Sequence, residues 1–339
     1  MKTIKSLQKV GFSALVFVIL LSISAAGVFA QGGSTAPQTP APALSQAETA
    51  AIEKVKNAAD ANAAMAAATE YIKAFPTSTQ RGLVGDIVAG KIVAMTDATQ
   101  KATMSEKMMA LFNGVDEADG LFDALDLAKA YDEMFRLGAI RLQAVQGEVK
   151  ILTSLALTGS NMLRQNNKKY AAQTEQYGLK AIALIESGQK PSVMSDEDWS
   201  VYKTKYLPPL YQTVGSIVFG KKDVTGAQKL FQKALAIDSR DAYTYNMLAT
   251  ISDDQYQDAA EAYKANPTDP ALKKAINLMD QTIDLYIHAV AYSEGNAAMA
   301  EVHKHALTAL ETYYKFRHNG STAGMQEQID ALKKPAVNP

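Results

Sequence analysis

The chain contains no cysteine, which excludes disulfides, thiolate metal sites and an acylated lipoprotein cysteine; an oxidising compartment would be tolerated without being exploited. Histidine is scarce at four, and tryptophan occurs once. Neither charge sign is in excess, with 34 basic against 35 acidic residues and a formal net charge of −1. The lysine pairs 168–169, 221–222, 273–274 and 333–334 are scattered, so no basic stripe for nucleic acid emerges. No Gly-x-Ser-x-Gly elbow, phosphate loop, dinucleotide fingerprint or His-Glu-x-x-His is present, so no catalytic residue and no cofactor is assigned. No stretch alternates apolar and polar residues with period two. Alanine, leucine, lysine, glutamine and glutamate dominate instead, and the expected fold class is all-α.

What is present begins with an address. Lys2, Lys5 and Lys9 precede an apolar run from Gly11 to Ala26, and Val28-Phe29-Ala30 offers small residues where a signal peptidase reads. Residues 1–30 are read as a secretory signal and the mature protein as periplasmic or extracellular. An uncleaved anchor is the alternative, since 11–30 is about long enough to cross a bilayer; membrane contact is then expected through this segment alone. Residues 31–44, rich in proline, alanine and glycine, form a spacer.

Helix-start signals follow it: Ser45 with Glu48, Thr103 with Glu106, Ser195 with Asp198, and Asp269 as an N-cap before Pro270. Apolar periodicity places helices near 46–59, 62–75, 79–96, 104–113, 119–145, 148–165, 168–186, 196–206, 208–219, 224–237, 242–252, 255–265, 270–293, 296–318 and 322–333.

Tyr211, Val214, Gly215 and Val218, then Ala227, Phe231 and Ala234, fall at the spacing of two antiparallel helices, with Ala227 expected to face Gly215 and the turn at 220–223. About 34 residues on, Tyr245, Leu248, Ala249 and Ser252 repeat the first four positions. The second half of that next unit slips: Ala259 and Tyr263 come two positions early, so a shortened helix is expected there. Leu155, Gly159, Met162 and Ala171 fit the same template with a turn at Asn166-Asn167, although Glu175 replaces the aromatic. Ala67, Tyr71 and Ala74 before Pro76 look like the second helix of another unit.

On these residues the chain resembles exported bacterial tetratricopeptide-repeat proteins, most clearly over 208–241 and the first helix at 242–252. The resemblance implies an array of helical hairpins over 45–335, wound as a right-handed superhelix with a binding groove, and so a non-enzymatic scaffold that holds a protein or extended peptide. The long helices 270–293 and 296–318 would cap it. Their outer face is assigned to Asp280, Asp284, Lys304, Glu311 and Lys315.

In that template the groove is lined by Gln212, Ser216 and Phe219 and, one unit on, by Tyr243, Asn246 and Thr250. Gln212 and Ser216 stand where the family's carboxylate-holding Lys and Asn would be, so a carboxylate clamp is not expected. Rings and amides suit extended peptide or glycan. A glycan or small-molecule binder with a helical cleft is therefore the second reading. Eleven of the fifteen tyrosines lie between Tyr202 and Tyr314; most should fill helix interfaces, with two or three left exposed in the groove. A third reading, a metal-dependent hydrolase, rests on Glu301, His303 and His305, of which Glu301 and His305 share a helix face. Zinc would need a further ligand such as His288 or Asp284, and no metal site is assigned.

Overall fold

The computed structural model describes residues 44–114, 117–145, 147–191 and 194–333, and among them every regular element is helical, fourteen α-helices and one 3-10 turn. The all-α class is what the structure has. The segments read as a signal (1–30) and, up to residue 43, as a spacer lie outside the described residues. No helix among the described residues is long and apolar enough to cross a membrane. The described chain divides into two compact units, 44–158 with 180–200, and 159–179 with 201–333.

The N-terminal unit is built from α1 (Gln46–Lys56), α2 (Ala61–Ala74), α3 (Arg81–Val93), α4 (Ala98–Leu111), α5 (Asp119–Leu127) and α6 (Tyr131–Ala144). Ser45 starts α1 as its sequence predicts, its hydroxyl accepting from the Glu48 amide at 3.1 Å. Helix α4 starts earlier than expected. Asp97 caps it by accepting from the Gln100 amide at 2.8 Å, while the Thr103 hydroxyl, read as a cap, donates inside the helix to the Thr99 carbonyl. The small side chains of Ala61, Ala64, Ala67 and Ala68 are buried on α2 with Tyr71 and let it nest against α3, where Val84, Val88 and Ile92 are buried. Ala74, expected on the same stripe, is exposed.

One long helix was expected over 119–145, and two are found. The break sits at Lys129, whose φ of 54° is left-handed, and the Ala130 amide closes the turn on the Leu125 carbonyl at 2.9 Å. That conformation costs an L residue about 1–2 kcal/mol. No glycine or asparagine marks the spot.

Helices α7 (Val149–Arg164), α8 (Ala171–Glu186) and α9 (Asp196–Gly220) follow, and α9 corrects a second expectation. Pro208 and Pro209 do not divide it into two helices; it runs through both, and the Thr213 hydroxyl back-bonds to the Pro209 carbonyl at 2.7 Å. Proline removes one helical donor and crowds the preceding turn, which bends a helix as readily as it ends one.

The C-terminal unit continues with α10 (Val224–Ile237), α11 (Ala242–Ala265), α12 (Asp269–Ser293), the 3-10 turn Ala297–Met299, α13 (Ala300–Arg317) and α14 (Met325–Lys333). Helix α10 has the bounds its sequence predicts. Helix α11 does not end near 253, so the expected hairpin of 242–252 and 255–265 is one rod, in which Ala259 and Ala260 pack into the core with Ala275 and Met279 of α12. Asp253-Asp254 supplies no helix breaker. Helix α12 is capped by Thr268 rather than Asp269, which is its first residue.

Two close approaches recur in this unit. A Cβ on Gly215 would lie 3.0 Å from the Phe231 ring and 3.4 Å from Leu230 Cβ, so α9 and α10 touch there; the neighbours are Phe231 and Leu230 rather than the expected Ala227. A Cβ on Gly159 would lie 1.8 Å from the Thr174 hydroxyl, so α7 and α8 touch in the same way. Two turns later each first helix ends on a left-handed residue, Lys222 (φ 70°) or Asn166 (φ 61°). The next amide then reaches back, Asp223 to the Val218 carbonyl and Asn167 to that of Met162.

Candidate functional site

The template's inward positions are inward in both α9 and α11: Tyr211, Val214, Gly215, Leu248, Ala249 and Ser252 are buried, with Tyr245 and Val218 half-buried. The six groove residues fall into three settings. Gln212 donates through Nε2 to Asp241 Oδ1 and to the Thr244 hydroxyl, both at 3.0 Å, and thereby ties α9 to the start of α11, where the Asp241 carboxylate also accepts from the Thr244 amide. Burial pushes the Asp241 carboxyl up, and the bonds from Thr244 pull it back. Ser216 and Tyr243 bring their hydroxyls to 3.2 Å, and the Tyr243 ring rests on Met299 and Val302. Phe219 packs in the α9–α10 seam beside Ala227, Phe231, Leu248 and Ile251.

Asn246 and Thr250 point elsewhere. Asn246 is buried, its Oδ1 2.9 Å from His305 Nδ1 on α13, and the Thr250 hydroxyl donates to the Asn246 carbonyl. The chain's own α13 therefore occupies the surface that the template assigns to these two residues. Gln212, Ser216 and Tyr243 remain together at half exposure.

Below Asn246 lies a polar network that sequence reading missed. Asp253 accepts from the Tyr313 hydroxyl, and Gln257 Nε2 donates to both Tyr313 Oη at 2.9 Å and Asp253 Oδ1 at 3.2 Å. Tyr286 stacks against Tyr313 and meets the His305 ring edge-on. Burial, then the Asp253 carboxylate, hold the Tyr286 and Tyr313 phenols far above their usual range, and the same causes push Tyr256 up to about 12. Burial lowers His305, with Asp253 opposing. The spacing of Asp253 and Gln257, one helical turn apart, was the available signal. It reads as a solvated face until α13 is placed against it.

None of the eleven tyrosines between 202 and 314 is exposed, so the two or three free rings expected in the groove are absent; Tyr243, Tyr245 and Tyr292 are half-buried. Tyr245 stacks on His288, whose Nδ1 lies 2.9 Å from the Asp284 carbonyl. His303 Nδ1 meets the Ser293 hydroxyl at 3.0 Å. The imidazoles of 288, 303 and 305 thus have different partners, and among the described residues no three or more of His, Cys, Asp and Glu converge as a metal would require.

Arg164, at the end of α7, is a further polar feature of the same unit. Its Nη2 reaches the Ser160 hydroxyl at 3.4 Å, its Nε is buried with no partner, and the Tyr243 phenol acts on its charge. Burial lowers its pKa. Comparison with known proteins gives no match to a family model and none to a curated protein.

Proposed function

We propose that the protein is an exported helical-repeat scaffold of the cell envelope, with a tetratricopeptide-like array that holds a protein or extended-peptide partner and carries out no chemistry itself. The observation that carries this reading is the recurrence of one device in successive helix pairs. Gly159 on Thr174 and Gly215 on Phe231 each bring two helices into contact, and each pair turns over a left-handed residue held by the same backbone bond. A hairpin built this way leaves an apolar stripe that only a neighbour can cover, which is the logic of stacked repeats.

The continuous α11 ends the hairpin series, and α12 to α14 fit the role of a cap. Tyr286, Tyr313, Tyr314 and Ile287 seal the inner side, while Asp280, Asp284, Lys304 and Lys315 are exposed on the outer one. Of the groove positions, Gln212, Ser216 and Tyr243 remain available to a partner. Export rests on the leader-like sequence of residues 1–30.

A photo-crosslinking residue placed at Gln212 or Tyr243 should capture one discrete protein in intact cells. The same residue at Leu127, exposed in the N-terminal unit, should not. Adducts identical at both places, or none from the groove, would end the scaffold reading. A glycan binder is the second reading, favoured by the half-buried Tyr243 beside Ser216 and Gln212. It would instead raise the melting temperature with oligosaccharides.

A further inference from the structure

We infer that Arg164, with the Ser160 hydroxyl a turn earlier on α7, forms a recognition site for a carboxylate group; the inference rests on the binding-groove reading for its biological setting, but not for its chemistry. The chain has six arginines, and five have an evident counterpart. Arg81 holds Glu117, Arg136 holds Glu133 and Glu106, Arg141 holds Glu148, and Arg317 holds Asp280. Arg240 lies over the Tyr292 ring, 5.0 Å from its centroid. Arg164 has neither a carboxylate nor a ring.

It is also the arginine that can least do without one. Its Nε is removed from solvent with no acceptor, and its one hydrogen bond is a long contact to the Ser160 hydroxyl a turn earlier on the same helix. A guanidinium has five donors in a flat fork, so one weak acceptor leaves most of its capacity unused. A buried charge in that position calls for an opposite one. Its place at the C-terminal end of α7 brings it favourable helix-end carbonyls, yet no bond from its guanidinium to a backbone carbonyl is formed.

Its fork matches a planar anion of single charge. The residue is only partly covered, so a ligand can reach the free edge of the fork. Ser216 and Tyr243, hydroxyl to hydroxyl at 3.2 Å, share one hydrogen bond, and whichever accepts it keeps its own proton free to donate outward. One guanidinium with neutral donors suits a carboxylate, which the fork holds through two parallel bonds; a phosphate dianion would be left half-neutralised. Two sources share this chemistry, a free small acid and the terminal or side-chain carboxylate of a docked peptide.

The test follows the Arg164 Nε–Hε resonance of the full-length mature protein, assigned by its loss in Arg164→Gln. Sodium acetate and an N-acetylated dipeptide with a free C-terminus should each shift it saturably. The dipeptide amide, and sodium chloride at matched ionic strength, should leave it in place. In Arg164→Gln, the melting-temperature increment from the same acids should vanish, and any affinity should fall at least tenfold. Equal affinities for acetate and dipeptide point to a small acid, and tenfold tighter dipeptide binding points to a chain end; either upholds the site. No carboxylate shift, an equal shift with chloride, or tighter binding of inorganic phosphate would overturn it. Because the resonance is read without a partner, failure of the crosslinking experiment would leave this result standing, and the reverse also holds.

Discussion

In the N-terminal unit the buried charged residues form a full ion pair: Arg141 and Glu148, 4% and 6% exposed, meet at 2.8 Å through Nε, while Nη1 and Nη2 bond the Asn113 and Gly114 carbonyls. In the C-terminal unit the fully buried polar residues are neutral, among them Thr244, Asn246, Ser252 and Thr282, with Tyr286 and Tyr313 gathered around the Asp253 carboxylate. The difference follows from helix length. Six short helices have many ends, and a guanidinium can satisfy the orphan carbonyls after α4 only if a carboxylate accompanies it into the interior. Long α11, α12 and α13 have few ends, so their interior polar groups bond side by side along the rods.

Removing half of the ion pair is the strongest way to break that contrast. Glu148→Leu strands a buried guanidinium, and chemical denaturation should show a loss of about 3–5 kcal/mol. Arg141→Met with Glu148→Leu should recover part of it, because no charge is left unpaired. Tyr313→Phe leaves Asp253 and Gln257 one partner short and should cost about 1–3 kcal/mol in the same measurement.

Titration gives each unit its own pH signatures. Tyr256, Tyr286 and Tyr313 have raised folded pKa values, so above pH ~10 the unfolded state loses their protons first, and the C-terminal unit should weaken as pH rises further. His305 is lowered, so acidification below about 6.5, the ordinary imidazole value, should also weaken this unit, through the proton the unfolded chain binds more readily. Asp123 in the N-terminal unit behaves oppositely to His305. Burial, then Asp86 and Asp126, raise it from 3.8 to about 6, so between those values its contribution to stability grows as pH falls. Unit-resolved hydrogen exchange at pH 4.5 and 7 should show the divergence. The smallest effect is expected at Leu127, 87% exposed, where Leu127→Gln should change stability by less than about 0.5 kcal/mol.

The sequence carried the helical class, the exact span of α10 and the glycine seam of α9–α10, because spacing and caps are local. It did not carry the break at Lys129, where a left-handed lysine closed by local backbone bonds ends the helix without a glycine to announce it. The double proline misled in the opposite direction, since α9 continues through it. In the site, Gln212, Ser216 and Tyr243 stay together as the template implies, because they depend on neighbouring helices of known spacing. Asn246 meets His305, 59 residues away in the chain, and no periodic pattern encodes that partner. Arg164 escaped notice for a related reason: a missing counter-charge is visible only when every neighbour has been placed.

The central claim is that glycine notches pair the helices of this unit, and a double-mutant cycle across α7 and α8 tests it most directly. Gly159→Ala should destabilise by about 1–3 kcal/mol, although alanine is the better helix former by about 1 kcal/mol. Moving the notch across the seam, with Thr174→Gly added, should restore most of the loss, giving a coupling of at least about 1 kcal/mol. A stabilised Gly159→Ala protein, or strictly additive effects, would mean that the two helices do not rely on that contact, and the stacked-hairpin account would fail with it.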